Sequence, residues 1–237
     1  MKYHHQRTAL CGDVTQERPS DCALCAVRQF ALFSAFKAGE LDERLQGIRN
    51  AFWAANTVIY SVGQPSEDVF SIRSGVVKLV QPQQDRTGRI VRLLGRGAAI
   101  GLEALDGRTY AHTAVTTRES NLCRIPRSVL RGLGADHPQL CEGLVRKWRE
   151  HTRSAEALVA GLEGGTLDDR ARSLLRLLVE VSGDHQEAVR FLRNDDMANL
   201  LCVSAESVSR CVARLKRGGI IRRVGPWTYD CTRVLAG

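Results

Sequence analysis

The alternation of apolar and polar positions divides the chain into two parts with different periods. From residue 30 to about residue 127, short runs rich in β-branched residues recur, and glycines separate them. These runs cover residues 58–60, 68–73, 76–80, 90–94, 111–116 and 121–125. Short strands about 8–12 residues apart, with turn residues between them, are typical of a small antiparallel roll or barrel. We therefore predict an antiparallel β domain in this part of the chain.

The period changes after the last of these runs, where apolar residues recur in steps of three and four. This spacing is typical of a helix with one apolar seam, and it predicts a helix from about Pro138 to Leu162. The seam consists of Leu140, Leu144, Trp148, His151, Ala155, Leu158 and Leu162. A single seam of this length favours pairing with a second copy of the helix. It could also pack on its own β domain, and both arrangements can hold together.

Shorter helical segments and a hairpin follow the long helix. Thr166 is a predicted N-cap for a helix that ends near Gly183. Segment 195–223 then has the pattern of a helix, a turn at Cys202-Val203, a second helix and the start of a hairpin. Gly218-Gly219 ends the second helix. This order predicts a helix-turn-helix followed by a β-hairpin wing.

The charge balance points to an anionic partner for this C-terminal part. The chain has 34 Lys and Arg against 26 Asp and Glu, which is a net charge of +8. Between residues 190 and 237, nine basic residues face four acidic ones, which leaves +5 in the last fifth of the chain. Such a concentration favours nucleic-acid binding. A solvated basic face is the alternative explanation of the charge alone.

The second helix of the helix-turn-helix has the side chains needed to read DNA. Val208, Val212 and Leu215 share an apolar face, and a separate face is polar. The N-terminal residues of a recognition helix meet base edges, to which Arg, Glu and Ser can all hydrogen-bond. The predicted base-reading residues are Glu206, Ser209 and Arg210. The predicted phosphate contacts are Ser204, which is also placed to cap the helix, and Arg214, Lys216 and Arg217.

Two motifs carry a resemblance to a known family. Ile72-Arg73-Ser74-Gly75 followed by Val76-Val77-Lys78, and Glu206-x-x-Ser209-Arg210, are similar to the β-roll and recognition-helix motifs of the FNR/CRP bacterial transcription regulators. The resemblance covers nearly the whole chain. It implies a DNA-binding regulator, not an enzyme, that binds an FNR-type palindrome as a homodimer and contacts RNA polymerase.

The same resemblance implies an α+β fold with three structural parts and a leader. We expect an N-terminal antiparallel β-roll of the cyclic-nucleotide-binding type, a long dimerisation helix and a C-terminal winged helix-turn-helix. The expected boundaries are 1–29 for a cysteine-bearing leader, 30–135 for the β-roll sensor domain, 136–163 for the dimerisation helix and 164–237 for the DNA-binding domain.

The phosphate-binding motif of the cAMP-binding members is incomplete in this chain. Those members use a Gly-Glu and a later Arg-Ser pair. Here Gly101-Leu102-Glu103 is present, but the later position has Ala111-His112-Thr113. Because no arginine lies where the phosphate needs a positive charge, we do not expect cAMP as the ligand.

Cysteines offer another means of sensing. Eight cysteines are unusual for a reducing compartment. FNR-like oxygen sensors ligate a [4Fe–4S] cluster with three leader thiolates and one from the β-roll, and the resemblance implies Cys11, Cys22, Cys25 and Cys123 as ligands. The family has its third leader cysteine where this chain has Ala31, so Cys11 is the remaining leader candidate. The implied signal is oxygen, redox state or nitric oxide.

Other uses of these thiols stay open. The four could bind zinc, a leader pair could form a redox switch without metal, or the leader cysteines could be idle. The alternative function is a family regulator without a cluster, gated by thiol oxidation or another small ligand. Cys141, Cys202, Cys211 and Cys231 lie in apolar patterns, and we expect them to be buried core residues. An enzyme with Cys22 or Cys25 as nucleophile is disfavoured because no base lies nearby in the sequence.

Location follows from two further features of the sequence. No run approaches the roughly 18 apolar residues of a membrane span. The polar segment 1–18 lacks the apolar core of a signal peptide. We therefore expect a cytoplasmic protein with no membrane partner.

Overall fold

The structure is a computed structural model. It describes residues 17–22, 25, 32–34, 36, 45–83, 88–162, 164–182 and 188–236. The predicted ligand Cys11 lies outside these residues. No helix in the described ranges is both long and apolar enough to cross a bilayer.

Two antiparallel sheets form a β-roll, as the sequence pattern predicts. One sheet has the order β1-β2-β9-β4-β7 and the other has the order β3-β8-β5-β6. Their strands are β1 (Arg18–Pro19), β2 (Arg49–Trp53), β3 (Val58–Tyr60), β4 (Asp68–Ser74), β5 (Val77–Gln81), β6 (Arg89–Leu94), β7 (Ala99–Ile100), β8 (Thr113–Thr116) and β9 (Ser120–Pro126). A 3₁₀ helix, Leu102–Leu105, follows β7.

The register of the larger sheet puts Cys123 at its centre. On β9, Cys123 pairs with Asn50 of β2 on one side and with Ser71 of β4 on the other. Its neighbours Leu122 and Ile125 are almost completely buried. Cys123 is therefore attached to the most firmly paired part of the roll.

Two helices leave the roll. They are α1 (Arg127–Asp136) and α2 (Pro138–Leu162), and α2 has the bounds that the seam predicts. Each end of the predicted seam packs within its own chain. Leu140 is 1% exposed in a cluster that contains Cys123, and Leu158 is buried in a cluster with the C-terminal helices.

The exposed apolar stripe of α2 therefore differs from the predicted seam. Leu144 and Leu162 pack partly against the same two clusters, and Ala155 is half-buried. Trp148 is 62% exposed, and Val145 and Val159 are also exposed. The side chain of His151 lies outside the described set. The difference arises because the roll and the C-terminal domain cover the two ends of the predicted seam. The exposed stripe is therefore rotated about the helix axis, by about one residue relative to that seam.

The C-terminal domain has the predicted helix-turn-helix and hairpin. Its elements are α3 (Leu167–Ser182), β10 (Ala188–Arg190), α4 (Asn194–Leu201), α5 (Ala205–Arg217), β11 (Arg222–Gly225), β12 (Thr228–Asp230) and α6 (Thr232–Leu235). The strands form an antiparallel sheet in the order β10-β12-β11. The fold is thus α+β, as expected.

The roll and the C-terminal domain share one hydrophobic cluster. Val76, Ile90 and Leu93 come from the roll and its β5–β6 hairpin, and they pack with apolar side chains of α3, α4 and α5. Gly95 lies where the two parts meet: a Cβ built there would be 1.5 Å from the carbonyl oxygen of Val181 on α3. The two parts are therefore in direct backbone contact.

Candidate functional site

Helix α5 begins at a formed N-cap. The Ser204 hydroxyl accepts a hydrogen bond from the backbone N–H of Ser207 at 3.2 Å, and Ser204 itself has extended backbone angles. This bond satisfies one of the N–H groups that a helix start leaves unpaired. The structure thus gives Ser204 the capping role that its position predicts, and its phosphate contact stays a prediction.

One face of α5 is anchored in the core. Val208, Cys211 and Leu215 are nearly inaccessible, and Val212 is half-buried. Burial raises the pKa of the Cys211 thiol to about 11, and the neighbouring carboxylate of Asp168 adds to this. The anchored face fixes the rotation of α5, so its polar face must point outward.

The predicted base-reading residues lie together on that outward face. Glu206, Ser209 and Arg210 are all exposed. A guanidinium nitrogen of Arg210 is 3.7 Å from a carboxylate oxygen of Glu206, one helical turn away. An exposed ion pair of this kind contributes little stabilising free energy. Both side chains can therefore leave it and turn to base edges. The geometry fits a recognition helix.

The predicted phosphate contacts divide into two kinds. Lys216 and Arg217 are exposed at the end of α5. Arg214 instead binds the carboxylate of Asp168 at the start of α3 through two guanidinium nitrogens. Hydrogen bonding from Arg214 is the largest contribution that lowers the pKa of the Asp168 carboxyl group. Arg214 therefore links two helices, which the sequence pattern does not indicate, because the residues are 46 positions apart.

The wing adds further basic groups. Arg222 and Arg223 on β11 are exposed, and Arg222 pairs with Asp230 at 3.0 Å. At the tip of the hairpin, Trp227 is exposed and has a φ of 56°. The wing and α5 thus both carry exposed basic side chains, which suit contact with a nucleic-acid backbone.

A latch between the β5–β6 hairpin and α4 was not predicted from the sequence. The side-chain amide of Asn199 accepts a hydrogen bond from the Ile90 N–H at 2.8 Å and donates one to the Gly88 carbonyl at 2.7 Å. Nearby, Lys78 of β5 forms an ion pair with Asp196 of α4, and both side chains are mostly buried. These contacts hold the helix-turn-helix against the roll.

Three of the four predicted cluster ligands line one small apolar cavity of about 30 Å³. Cys22 and Cys25 come from the leader and Cys123 from β9, and the walls include Leu32, Phe33, Leu45 and Ile48. Burial raises the pKa of the Cys123 thiol, while a hydrogen bond with Ser20 and the nearby Arg73 lower it. Within the described residues, no three His, Cys, Asp or Glu side chains are already arranged as a metal site.

The remaining cysteines do not all behave as predicted. Cys211 and Cys231 are buried, as expected, but Cys141 and Cys202 are exposed. Cys141 lies on the outer side of α2, and Cys202 occupies the turn between α4 and α5 with a φ of 54°. The prediction for these two is wrong, because an apolar sequence neighbourhood does not fix which way a helix face or a turn residue points.

Aromatic side chains fill the interior of the roll. The rings of Tyr60 and Tyr110 stack with centroids 3.8 Å apart, and Phe70 packs on Tyr60. In the predicted phosphate region, Glu103 accepts a hydrogen bond from the Ala111 N–H at 3.3 Å. Its carboxylate also lies 4.0 Å from Nδ1 of His112. Burial and the nearby Arg92 lower the pKa of the His112 imidazole. The place of the Arg-Ser pair of the cAMP-binding members is thus taken here by His112 beside Glu103.

Comparison with known proteins accounts for both parts of the chain. The model of the cyclic nucleotide-binding domain matches residues 51–137, and the model of the Crp-like helix-turn-helix domain matches residues 171–230. The chain is 30% identical over 177 residues to the nitrogen fixation regulation protein FixK of Azorhizobium caulinodans, across 72% of this chain and 70% of that protein. It is 22% identical over 222 residues to electron transport regulator A of Shewanella oneidensis, across 88% and 87%.

Solved structures have the same fold. FixK2 of Bradyrhizobium japonicum superposes with a TM-score of 0.68 at 19% identity, over 79% of this chain and 93% of that one. A CRP-family regulator of Thermus thermophilus gives 0.67 at 23% identity, over 78% and 93%. With a roll, a capped recognition helix and relatives that are transcription regulators rather than enzymes, the chain belongs to the FNR/CRP family of DNA-binding transcription regulators.

Proposed function

We propose that this regulator senses oxygen or redox state through a [4Fe–4S] cluster held by Cys22, Cys25 and Cys123, with Cys11 as the fourth ligand. The observation that carries the proposal is the shared cavity, which two leader thiols and one sheet thiol line together. Several relatives are named as anaerobic or fumarate and nitrate reduction regulators. That naming favours oxygen as the signal.

The donor set fits an iron–sulfur cluster. Thiolates are its usual ligands, and an apolar wall excludes solvent from it. Burial raises the pKa of the Cys123 thiol, and the nearby Arg73 offsets part of this rise in favour of the thiolate that a metal requires. A cavity of about 30 Å³ has room for little more than one water molecule. Cys22 and Cys25 must therefore move outward from the cavity to admit a larger group.

Such a cluster, when bound, supplies a group that oxygen or nitric oxide can destroy. The chain's own residues determine what its loss would change. Cys123 is fixed in the sheet, and the leader is attached there by β1 and by the Ser20 N–H, which donates to the Ile48 carbonyl at 3.0 Å. Leader thiols that lose their bonds would release this segment from the roll.

The thiol cavity is linked to the start of α2 by packing. Leu32, Phe33 and Phe36 pack in the same cluster as Cys123 and Leu140 of α2. Gly143 is also close to the segment that follows the leader, since a Cβ there would be 2.9 Å from the Leu32 carbonyl oxygen. A shift of the leader would therefore change the support of α2, which is the route from the thiols to the dimer.

We also infer that the regulator binds a palindromic site as a homodimer and contacts RNA polymerase. The exposed stripe of α2 supports the dimer. Val145 lies three residues before Trp148 and Val159 lies eleven residues after it, so the three side chains share one side of the helix, and all are open to solvent. A two-fold dimer would present two copies of α5 to successive major grooves.

The test is anoxic purification followed by counts of iron, sulfide and zinc and by a visible spectrum. We expect about four irons per chain and loss of the absorbance in air. Cys123→Ser and Cys25→Ser should lose the iron, whereas Cys141→Ser, at an exposed thiol on α2, should keep it. A protein with zinc alone, or colourless protein without iron, contradicts the cluster but leaves DNA binding intact.

A further inference from the structure

A cleft of about 820 Å³ lies between the roll, α2 and α3. Its roll wall is the end of β6 and the turn after it, and its far wall is α3 of the DNA-binding domain. A cavity of this size is in the range of small-molecule sites. The residues of the recognition helix and of the thiol cavity do not line it, so it is separate from both sites described above.

The charge of the cleft is mainly positive. Its cationic side chains are Arg96, Arg146, Lys147 and Arg153, and its carboxylates are Glu150 and Glu180. Lys147 has a side chain only 4% exposed, and its ammonium is 2.6 Å from a carboxylate oxygen of Glu150. A buried ammonium needs compensating negative charge. Glu150 supplies that for one cation only.

Two of the three arginines that line the cleft, Arg146 and Arg153, are placed on α2 to face a ligand. Arg146 donates to the Ser34 hydroxyl at 2.6 Å, and both residues line the cleft. Neither Arg146 nor Arg153 forms an ion pair with any residue that the structure describes. Guanidinium groups bind phosphate oxygens in a bidentate way. Leu93 and Ala98 on the roll wall and Leu177 on the α3 wall add apolar surface.

The cleft also faces away from the proposed dimer. At 3.6 residues per turn, Arg146, Glu150 and Arg153 lie on the side of α2 opposite to Trp148 and Val159. A second copy on the exposed stripe would therefore leave the cleft open to solvent.

We propose that this cleft binds a phosphorylated small molecule, with Arg146 and Arg153 on the phosphates and Lys147 as a buried supporting charge. The bound molecule bridges the roll, α2 and α3. It therefore reports on the relative position of sensor and DNA-binding domain, independently of any cluster in the thiol cavity.

Titration calorimetry of the full chain with inorganic pyrophosphate tests the proposal, with sodium chloride of equal ionic strength as the blank. We expect saturable binding at one site per chain. Arg153→Gln should raise the Kd about tenfold or more, because one charge-assisted hydrogen bond is lost. Arg149→Gln, on the same helix but outside the cleft, should change it less than about twofold. Pyrophosphate should also raise the Tm of the wild type but not that of Arg153→Gln.

Several outcomes would overturn the proposal. They are no heat beyond the chloride blank, equal weakening by Arg149→Gln and Arg153→Gln, or binding that Arg210→Gln removes and Arg153→Gln preserves. The last would place the anion on the recognition helix. Arg153 makes no hydrogen bond or ion pair to a described residue, so its variant should fold; Arg146→Gln provides a second, independent variant with the same expected direction.

Discussion

The side-chain carbonyl of Asn199 on α4 accepts a hydrogen bond from the backbone N–H of Ile90 on β6. The same amide donates to the Gly88 carbonyl, so one side chain pairs with both ends of a short stretch of sensor backbone. Asn199→Ala should lower the free energy of unfolding by about 1–3 kcal/mol, because the Ile90 N–H then loses its partner. Urea denaturation measures this. Asn194→Ala, at the start of the same helix, is the control, and an equal loss there would contradict a specific role for Asn199.

Gly95 sets the distance between the two domains. A Cβ at this position would meet the Val181 carbonyl oxygen at 1.5 Å, so Gly95→Ala must separate the roll from α3. We expect a loss of about 1–3 kcal/mol, the usual effect of overpacking. Gly132→Ala is the control, since nothing lies within 4 Å of a Cβ there. That helical position should be stabilised by about 0.5–1 kcal/mol. Equal melting temperatures for both variants would show that the domains can part without cost.

Arg210 is expected to specify sequence. Arg210→Ala should weaken binding to the preferred palindrome by about 1–3 kcal/mol and relax the preference at one base pair. Lys216→Ala is the matched variant at the exposed end of α5, and it should weaken all sequences alike and reduce the salt dependence. Binding to sites changed one base pair at a time distinguishes the two. An equal loss of affinity for all sequences with Arg210→Ala would mean that Arg210 contacts the phosphate backbone and not a base.

Trp148 is expected to lie in a dimer contact. Trp148→Glu places a charge in the middle of the exposed stripe, where burying it without a partner is unfavourable. We expect the dissociation constant of the dimer to rise by a factor of at least about 100, in line with loss of an aromatic interface anchor. Sedimentation analysis measures the change, with Arg149→Gln as the control one position away. A Trp148→Glu protein that stays dimeric would exclude this face of α2.

Cys231 is expected to contribute to the pH dependence of stability. Burial raises the pKa of its thiol from the ordinary value near 9 to about 11. The folded chain therefore keeps a proton that the unfolded chain releases, so stability is complete below pH 9 and falls as the pH rises towards 11. Cys231→Ala should show a shallower fall in Tm over this interval. Parallel slopes for the two proteins would assign the loss to other groups.

Period and turn chemistry predicted most strands of the roll, α2 and the helix-turn-helix, but not β2 or α1. The bounds of α2 and the capped α5 follow from local patterns, which depend on neighbours within a few residues. The convergence of Cys22, Cys25 and Cys123 came from the family resemblance. No local pattern shows the Asn199 latch or the bond between Arg214 and Asp168, because their partners are far away in sequence. For the same reason the exposed apolar stripe of α2 differs from the predicted seam. Which face of the helix is buried depends on the domains that pack against each of its ends.

The hydrophobic cluster shared by the roll and the DNA-binding domain has a consequence for the chain as a modular protein. Val76, Ile90 and Leu93 are buried by helices that belong to the other part. A chimera that joins this roll to the DNA-binding domain of a relative would expose these side chains unless the new domain offered a matching surface. The two parts should therefore unfold in a single thermal transition and evolve as one unit. A change of DNA target site is then expected to come from substitutions on α5 rather than from exchange of the whole DNA-binding domain.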